Sequence, residues 1–217
     1  MSVSRALDIC GYAEIKTNIF DLASAEECLL NIATRLGRII GGRNRNPVEV
    51  LIPIMKSEAP ICSLSAQFGK DAFPFHIDTA HLMQPCRYLV FFCLEAIGTV
   101  APTLLLDRLQ FRFTNSELDD LKTGTFLVRN GGRSFYSNVI SRTQNFFRWD
   151  PGCMEARDAI AKRVCNSLGR QVQLANIEAI SWQAGTILIV DNWRMLHARG
   201  TFEPNQRERK LLRVSVI

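Results

Sequence analysis

The tail of this sequence is one strand-like run after another: IEAISW, a QAG turn, TILIVD, then RMLHARG and RKLLRVSVI. Similar runs rich in β-branched and aromatic residues occupy VEVLIPI (48–54), FPFHID (73–78), RYLVFFCLEAI (87–97) and TLLLDRL (103–109). Pro74 puts the second of these at an edge or a strand start. TFLVRNGGRSFYSNVIS holds two alternating runs around Asn130-Gly131-Gly132, a hairpin pattern, and FFRWDPG reads as a short strand or extended segment. Helical periodicity is confined to three places. SAEECLLNIATRLGRII (24–40) offers Ser24 as N-cap, Glu27 three residues on, and an apolar stripe through Cys28, Leu29, Ile32, Leu36 and Ile39. TNSELDDLKTG (114–124) is a short capped helix. MEARDAIAKRVCNSLGRQ (154–171) is an amphipathic one with Gly169 near its end. About ten strands against three helices, with helices missing between most strands, argue against a parallel βαβ sheet. The pattern predicts a mainly β fold with flanking α-helices, an antiparallel double sheet of the jelly-roll type.

A chain of 217 residues with no composition break suits one domain over 1–217, large enough to bury a sizeable core. Its 47% hydrophobic and 22% charged residues are ordinary for a soluble globular protein. No apolar run approaches ~20 residues, so no membrane span is expected. MSVSRALDICGYAEIKTN lacks a continuous apolar segment, which argues against a secretory signal. Seven cysteines at 10, 28, 62, 86, 93, 153 and 165 show no CxxC, the usage of reduced thiols in a cytoplasmic protein. The net charge of +5 is spread along the chain, and the basic groups GGRNRN and NQRERK lack the density of a nucleic-acid surface. A small-molecule partner, anionic or not, fits this charge. The glycine pairs at 41–43 and 130–133 lack the spacing of a phosphate cradle.

FPFHIDTAH contains two of the three histidines in the chain. On a strand, residues i and i+2 share a face, about 6.5 Å apart. His76 and Asp78 would therefore converge, and an imidazole nitrogen and a carboxylate oxygen can meet one cation at about 2.0–2.2 Å from each. His81 falls out of phase. His197, in DNWRMLHARG, joins the pair only if the tertiary fold brings the two strands together. Two histidines and one carboxylate would make the facial triad of non-haem Fe(II) oxygenases, which leaves coordination positions open. A strand-edge histidine merely hydrogen-bonded to an aspartate is the alternative. Arg209 and Arg213 are four residues apart in RERKLLRVSVI and share a face with Leu211. A charge inside an apolar strand calls for an anion, either a ligand or a structural ion pair, to Asp107 or Glu178 for example.

Taken together, FPFHID, APTLLLD, GTILIVDNWRMLHARG and RKLLRVSV resemble the taurine dioxygenase and clavaminate synthase-like group of Fe(II)/2-oxoglutarate oxygenases, from about residue 60 to the C-terminus. The resemblance implies a distorted double-stranded β-helix (jelly roll). It implies His76, Asp78 and His197 as Fe(II) ligands. Arg209 matches the arginine that grips the distal carboxylate of 2-oxoglutarate, and Thr103 matches a threonine that supports it. Arg213 matches a position that meets an anionic group on the substrate in several relatives. The physical chemistry agrees: a planar guanidinium fork suits a carboxylate, and a hydroxyl adds a neutral donor. The implied reaction consumes O2 and 2-oxoglutarate, releases succinate and CO2, and hydroxylates or desaturates a C–H bond. A carboxylate at 78 argues against halogenation.

The interval between Asp78 and His197 is short for the family, so its lid and substrate pocket do not carry over. Arg142 and Arg148 in that interval could touch substrate, but solvated or salt-bridged roles are expected for both, and a structural one for Arg199. Asp191-Asn192 is expected to orient the His197 strand or to form a turn. Trp182 and Trp193 are expected in the core. Two rival readings remain: a jelly-roll metalloenzyme of other chemistry, which would not turn over 2-oxoglutarate, and a non-catalytic binding protein, which would lose nothing in His76→Ala.

Overall fold

The run YLVFFCLEA shows no polar alternation because it is the middle strand of a sheet covered on both faces in the computed structural model of the chain. The structure describes residues 1–42, 45–59, 63–141, 145–201 and 208–217. Its first half runs α1 (Val3–Cys10), β1 (Tyr12–Lys16), α2 (Leu22–Leu36), β2 (Ile39–Ile40), β3 (Glu49–Leu51), α3 (Leu64–Phe68), β4 (Tyr88–Ala96) and β5 (Thr103–Asp107). There follow α4 (Asn115–Thr123), β6 (Phe126–Val128), β7 (Phe135–Ser137), β8 (Met154–Ala156) and α5 (Ala159–Leu174). The chain ends with β9 (Glu178–Ile180), β10 (Thr186–Asp191), β11 (Met195–Arg199) and β12 (Arg209–Val216).

All strand pairs between these elements are antiparallel. The large sheet has the order β1-β10-β4-β12-β2, with β3 also on β12; a second has β11-β5-β9 and a third β7-β6-β8. The layers follow from which face each apolar residue takes. Phe92, Leu212, Val214 and Ile189 of the large sheet pack on Leu29 and Ala33 of α2. On the opposite face Phe91, Cys93, Leu188 and Leu211 meet Leu105, Ile180, Trp182 and Met195 around the second sheet. The outer face of that sheet, through Leu106 and Leu196, packs on α4, α5 and the third sheet. The inner faces of the two facing sheets hold the residues of interest.

Several boundaries differ from the sequence expectations, each for a local reason. The helix expected over 24–40 starts earlier, because the Asp21 carboxylate accepts from the Ser24 N–H at 2.9 Å. It stops at Gly37, and Ile39–Ile40 become β2, paired with Ser215 and Val216. The helix expected from 154 starts at Ala159, capped by Asp158; Met154–Ala156 pairs with β6 instead, and Gly169 lies inside the helix. FPFHID is not a strand: one antiparallel bridge joins His76 to His197, with reciprocal backbone bonds of 3.0 and 2.9 Å. Pro74 has no N–H to extend that ladder, and Thr79 at φ 57° turns the chain away. VEVLIPI shortens to Glu49–Leu51. The hairpin around Asn130-Gly131-Gly132 forms as expected, Phe126 opposite Ser137. The QAG turn closes with a Thr186 N–H to Gln183 carbonyl bond and needs Gly185 at φ +82°, where a Cβ would lie 2.5 Å from the Thr17 carbonyl oxygen. α1 and β1 had no counterpart in the sequence reading.

Candidate metal centre

His197 is on β11, a strand buried along its whole length, and alternation with Leu196 and Ala198 turns its imidazole inward. The bridge to His76 brings the two rings to 4.4 Å between centroids. Asp78 completes the group: its Oδ1 is 3.5 Å from His76 Nε2 and 3.6 Å from His197 Nε2. Two ligands at right angles, each ~2.1 Å from a cation, are roughly 3 Å apart, so small side-chain shifts close these spacings on one ion. His76 Nδ1 lies 2.9 Å from the Pro74 carbonyl oxygen, which fixes Nδ1 as the protonated nitrogen and leaves the Nε2 lone pair facing Asp78. Asn192, fully buried, clamps the backbone of Asp78. Its Oδ1 accepts from the Asp78 N–H at 2.9 Å, and its Nδ2 donates to the Asp78 and Cys86 carbonyls at 3.1 and 2.8 Å.

Burial favours the neutral carboxyl of Asp78, but Arg213 and the two imidazoles outweigh it and hold the group well below the usual carboxylate range. Burial and the neighbouring His76 push the His197 pKa down, which favours the neutral imidazole that a cation needs. For His76 burial acts the same way but is outweighed by Asp78 and Asp150, so its pKa rises.

Arg209 lies on the same inner face, at the start of β12. Its Nη2 donates to Thr103 Oγ1 at 3.3 Å; Trp182 Nε1 donates to the same oxygen at 3.0 Å. Its Nη1 is buried with no partner among the described residues. Burial and the nearby Arg199 cation push the Arg209 pKa down to about 10, still cationic at neutral pH. A buried guanidinium with an orphan donor is a site awaiting an anion.

Arg213, the other arginine of the pair, has its fork taken. One edge bonds Glu49 Oε2, at 2.7 Å from Nη2 and 3.3 Å from Nε, and Nη1 bonds Asp78 Oδ2. Its partners are Glu49 and Asp78, not the Asp107 or Glu178 of the sequence reading; Asp107 pairs with Arg194. Arg148, expected to be solvated or salt-bridged, is instead fully buried and donates to the carbonyls of Ala80, Leu82 and Met83, stitching the turn that follows Asp78. Arg199 donates to the Gly69 and Asp71 carbonyls and lies 3.8 Å over the Phe73 ring. Asp191 serves the turn, accepting from the Trp193 N–H at 3.0 Å. Arg142 lies outside the described residues.

Sequence reasoning missed Glu49 and underrated Asn192 and Trp182. A signal existed for Glu49: an acid between apolar residues in VEVL raises the same question as Arg213 in LLRVS. Trp182 joins the core as expected, and its indole N–H also fixes Thr103.

This geometry agrees with the resemblance of the motifs to non-haem iron oxygenases. The family comparison points the same way: the model for the taurine catabolism dioxygenase TauD, TfdA family matches residues 113–215, a span that includes His197, Arg209 and Arg213. No curated protein sequence matches the chain. Among solved structures, non-heme iron oxygenase OrfP in complex with Fe and alpha-ketoglutaric acid aligns at TM-score 0.75 and 21% identity, over 98% of this chain and 77% of that one. OrfP in complex with Fe, succinate and (3S)-hydroxy-L-Arg aligns at 0.75 and 19%, over 98% and 79%. Asparagine oxygenase AsnO aligns at 0.79 and 17%, over 99% and 76%. At these identities the likeness is one of fold, and it runs through nearly the whole chain.

Proposed function

We propose that residues 1–217 form one dioxygenase domain, an Fe(II)- and 2-oxoglutarate-dependent enzyme that hydroxylates or desaturates a C–H bond of a small polar metabolite with release of succinate and CO2. The observation that carries this is the buried Nη1 of Arg209, without a partner among the described residues, on the same inner face as the His76, Asp78 and His197 cluster. In this reading His76, Asp78 and His197 hold the iron, and Arg209 with Thr103 grips the distal carboxylate of 2-oxoglutarate. The iron and 2-oxoglutarate, when bound, supply O2 activation coupled to decarboxylation. The chain supplies position and exclusion of water: Asn192 and Pro74 fix two of the ligands, and Trp182 orients the Thr103 hydroxyl toward Arg209.

A double-stranded β-helix of the clavaminate synthase type is the scaffold that goes with this assignment, supported by the two facing antiparallel sheets. A substrate of amino-acid size is favoured by OrfP and AsnO, whose structures hold hydroxylated arginine and hydroxyasparagine. Arg213, expected to meet a substrate anion, would have to release Glu49 to do so; the geometry favours a positioning role toward Asp78. A small molecule rather than a nucleic acid is supported by the pairing of surface arginines 129, 163 and 170 with Glu155, Asp120 and Glu117. A cytoplasmic location agrees with free thiols at the six described cysteines; burial pushes Cys86 up to about 12 and Cys93 up to about 11.

Anaerobic addition of Fe(II) and then 2-oxoglutarate should produce a weak visible charge-transfer band that is lost in His197→Ala. A well-folded protein that shows no band and releases no succinate with any candidate substrate would favour a metalloenzyme of other chemistry.

A further inference from the structure

We infer that Glu49 is a positioning residue for the metal centre: by pairing with the far edge of Arg213 it holds that guanidinium against Asp78 and leaves the row with a net negative charge toward a cation. This rests on the reading of His76, Asp78 and His197 as the metal ligands. The two oxygens of Asp78 have separate surroundings. Oδ1 faces both imidazole Nε2 atoms, and Oδ2 is held by Arg213. A guanidinium alone on Oδ2 would fix the carboxylate but cancel its charge and repel an approaching cation. Glu49 meets the opposite edge of the same guanidinium through Nε and Nη2. With Glu49, the row Glu49–Arg213–Asp78 carries one net negative charge toward the cation; without it, none.

The fold builds this contact deliberately into the register. Glu49 on β3 stands directly opposite Arg213 on β12, and Arg213 shares its face with Leu211 and Arg209 between the sheets. The Glu49 side chain also fills the space over Gly42, where a Cβ would come 2.4 Å from its Cγ and Cδ. Both carboxylates and the guanidinium are largely screened from water, so the charges act at short range in a medium of low dielectric.

The test is anaerobic titration of the metal-free full chain with Mn(II), reading free ion by its EPR signal. Wild type should bind and His197→Ala should not, which establishes the site independently. Glu49→Gln should weaken Mn(II) binding by about 10–100-fold, the range for groups that support metal ligands. Glu49→Gln combined with Arg213→Met should recover most of that loss, because the Asp78 charge is then unopposed. Gly42→Ala, which pushes Glu49 from its seat while keeping its charge, should also weaken binding and covers the case in which Glu49→Gln does not fold. Wild-type affinity in folded Glu49→Gln, or a double variant weaker than the single one, overturns the inference. A wild type that fails to bind Mn(II), or a His197→Ala that binds it equally, overturns the metal assignment and the inference with it.

Discussion

Arg209 is the residue on which the cosubstrate assignment turns. Its Nη2 leans on Thr103 and its Nη1 has no partner among the described residues. Arg209→Ala should weaken 2-oxoglutarate binding by about 2–5 kcal/mol, the cost of truncating one side of a buried charge contact, while Fe(II) binding stays near wild type. Calorimetry with 2-oxoglutarate in place of activity reads this directly; unchanged affinity would remove Arg209 from the site. Asn192 acts one step further out. It pairs with both backbone polar groups of Asp78, so Asn192→Ala leaves them buried and unpaired and lets the carboxylate drift. Metal affinity should fall about 10–100-fold with 2-oxoglutarate affinity measured at saturating metal unchanged. Equal losses in both would indicate general disorder.

Among the elements, α4 shows how local chemistry sets stability. Thr114 and Glu117 form a reciprocal capping box, and Glu117 also accepts from Ser167 Oγ at 2.9 Å and from Arg170 on α5. The Thr114 N–H, then Ser167, hold the Glu117 carboxyl down at about 2 against an ordinary 4.5. A carboxyl lowered in the folded state stabilises it fully above the unfolded value. That contribution disappears as pH falls from 4.5 toward about 2. Thermal denaturation of Glu117→Gln should therefore show a lower Tm than wild type at neutral pH and a deficit that shrinks as pH drops through this window. A deficit independent of pH would assign the effect to shape rather than charge. β4 makes a different case. Phe92 is fully buried between α2 and the large sheet, so Phe92→Ala should cost about 3–5 kcal/mol in urea unfolding, where a surface site would cost little.

At the scale of the whole molecule, the metal should act as a fold ligand. The three side chains proposed to hold it come from a bridge segment and a strand far apart in sequence, so only the folded chain should bind it well. Metal at about 100 times its Kd should add about 2.7 kcal/mol to stability, and the rise in Tm should vanish in His76→Ala. The sequence by itself determined the strand-rich tail, the two-sheet class, the NGG hairpin and the residue types of the site, because these rest on local patterning and on charges placed in apolar runs. It misjudged FPFHID as a strand, since the Pro74 gap and the Thr79 turn act against an alternation that otherwise looked regular. Only the tertiary structure decided which carboxylates meet Arg213, that Arg209 keeps an open donor, and that Asn192 holds Asp78. Those contacts join residues more than a hundred positions apart in the sequence, and no periodicity along a single strand carries that information.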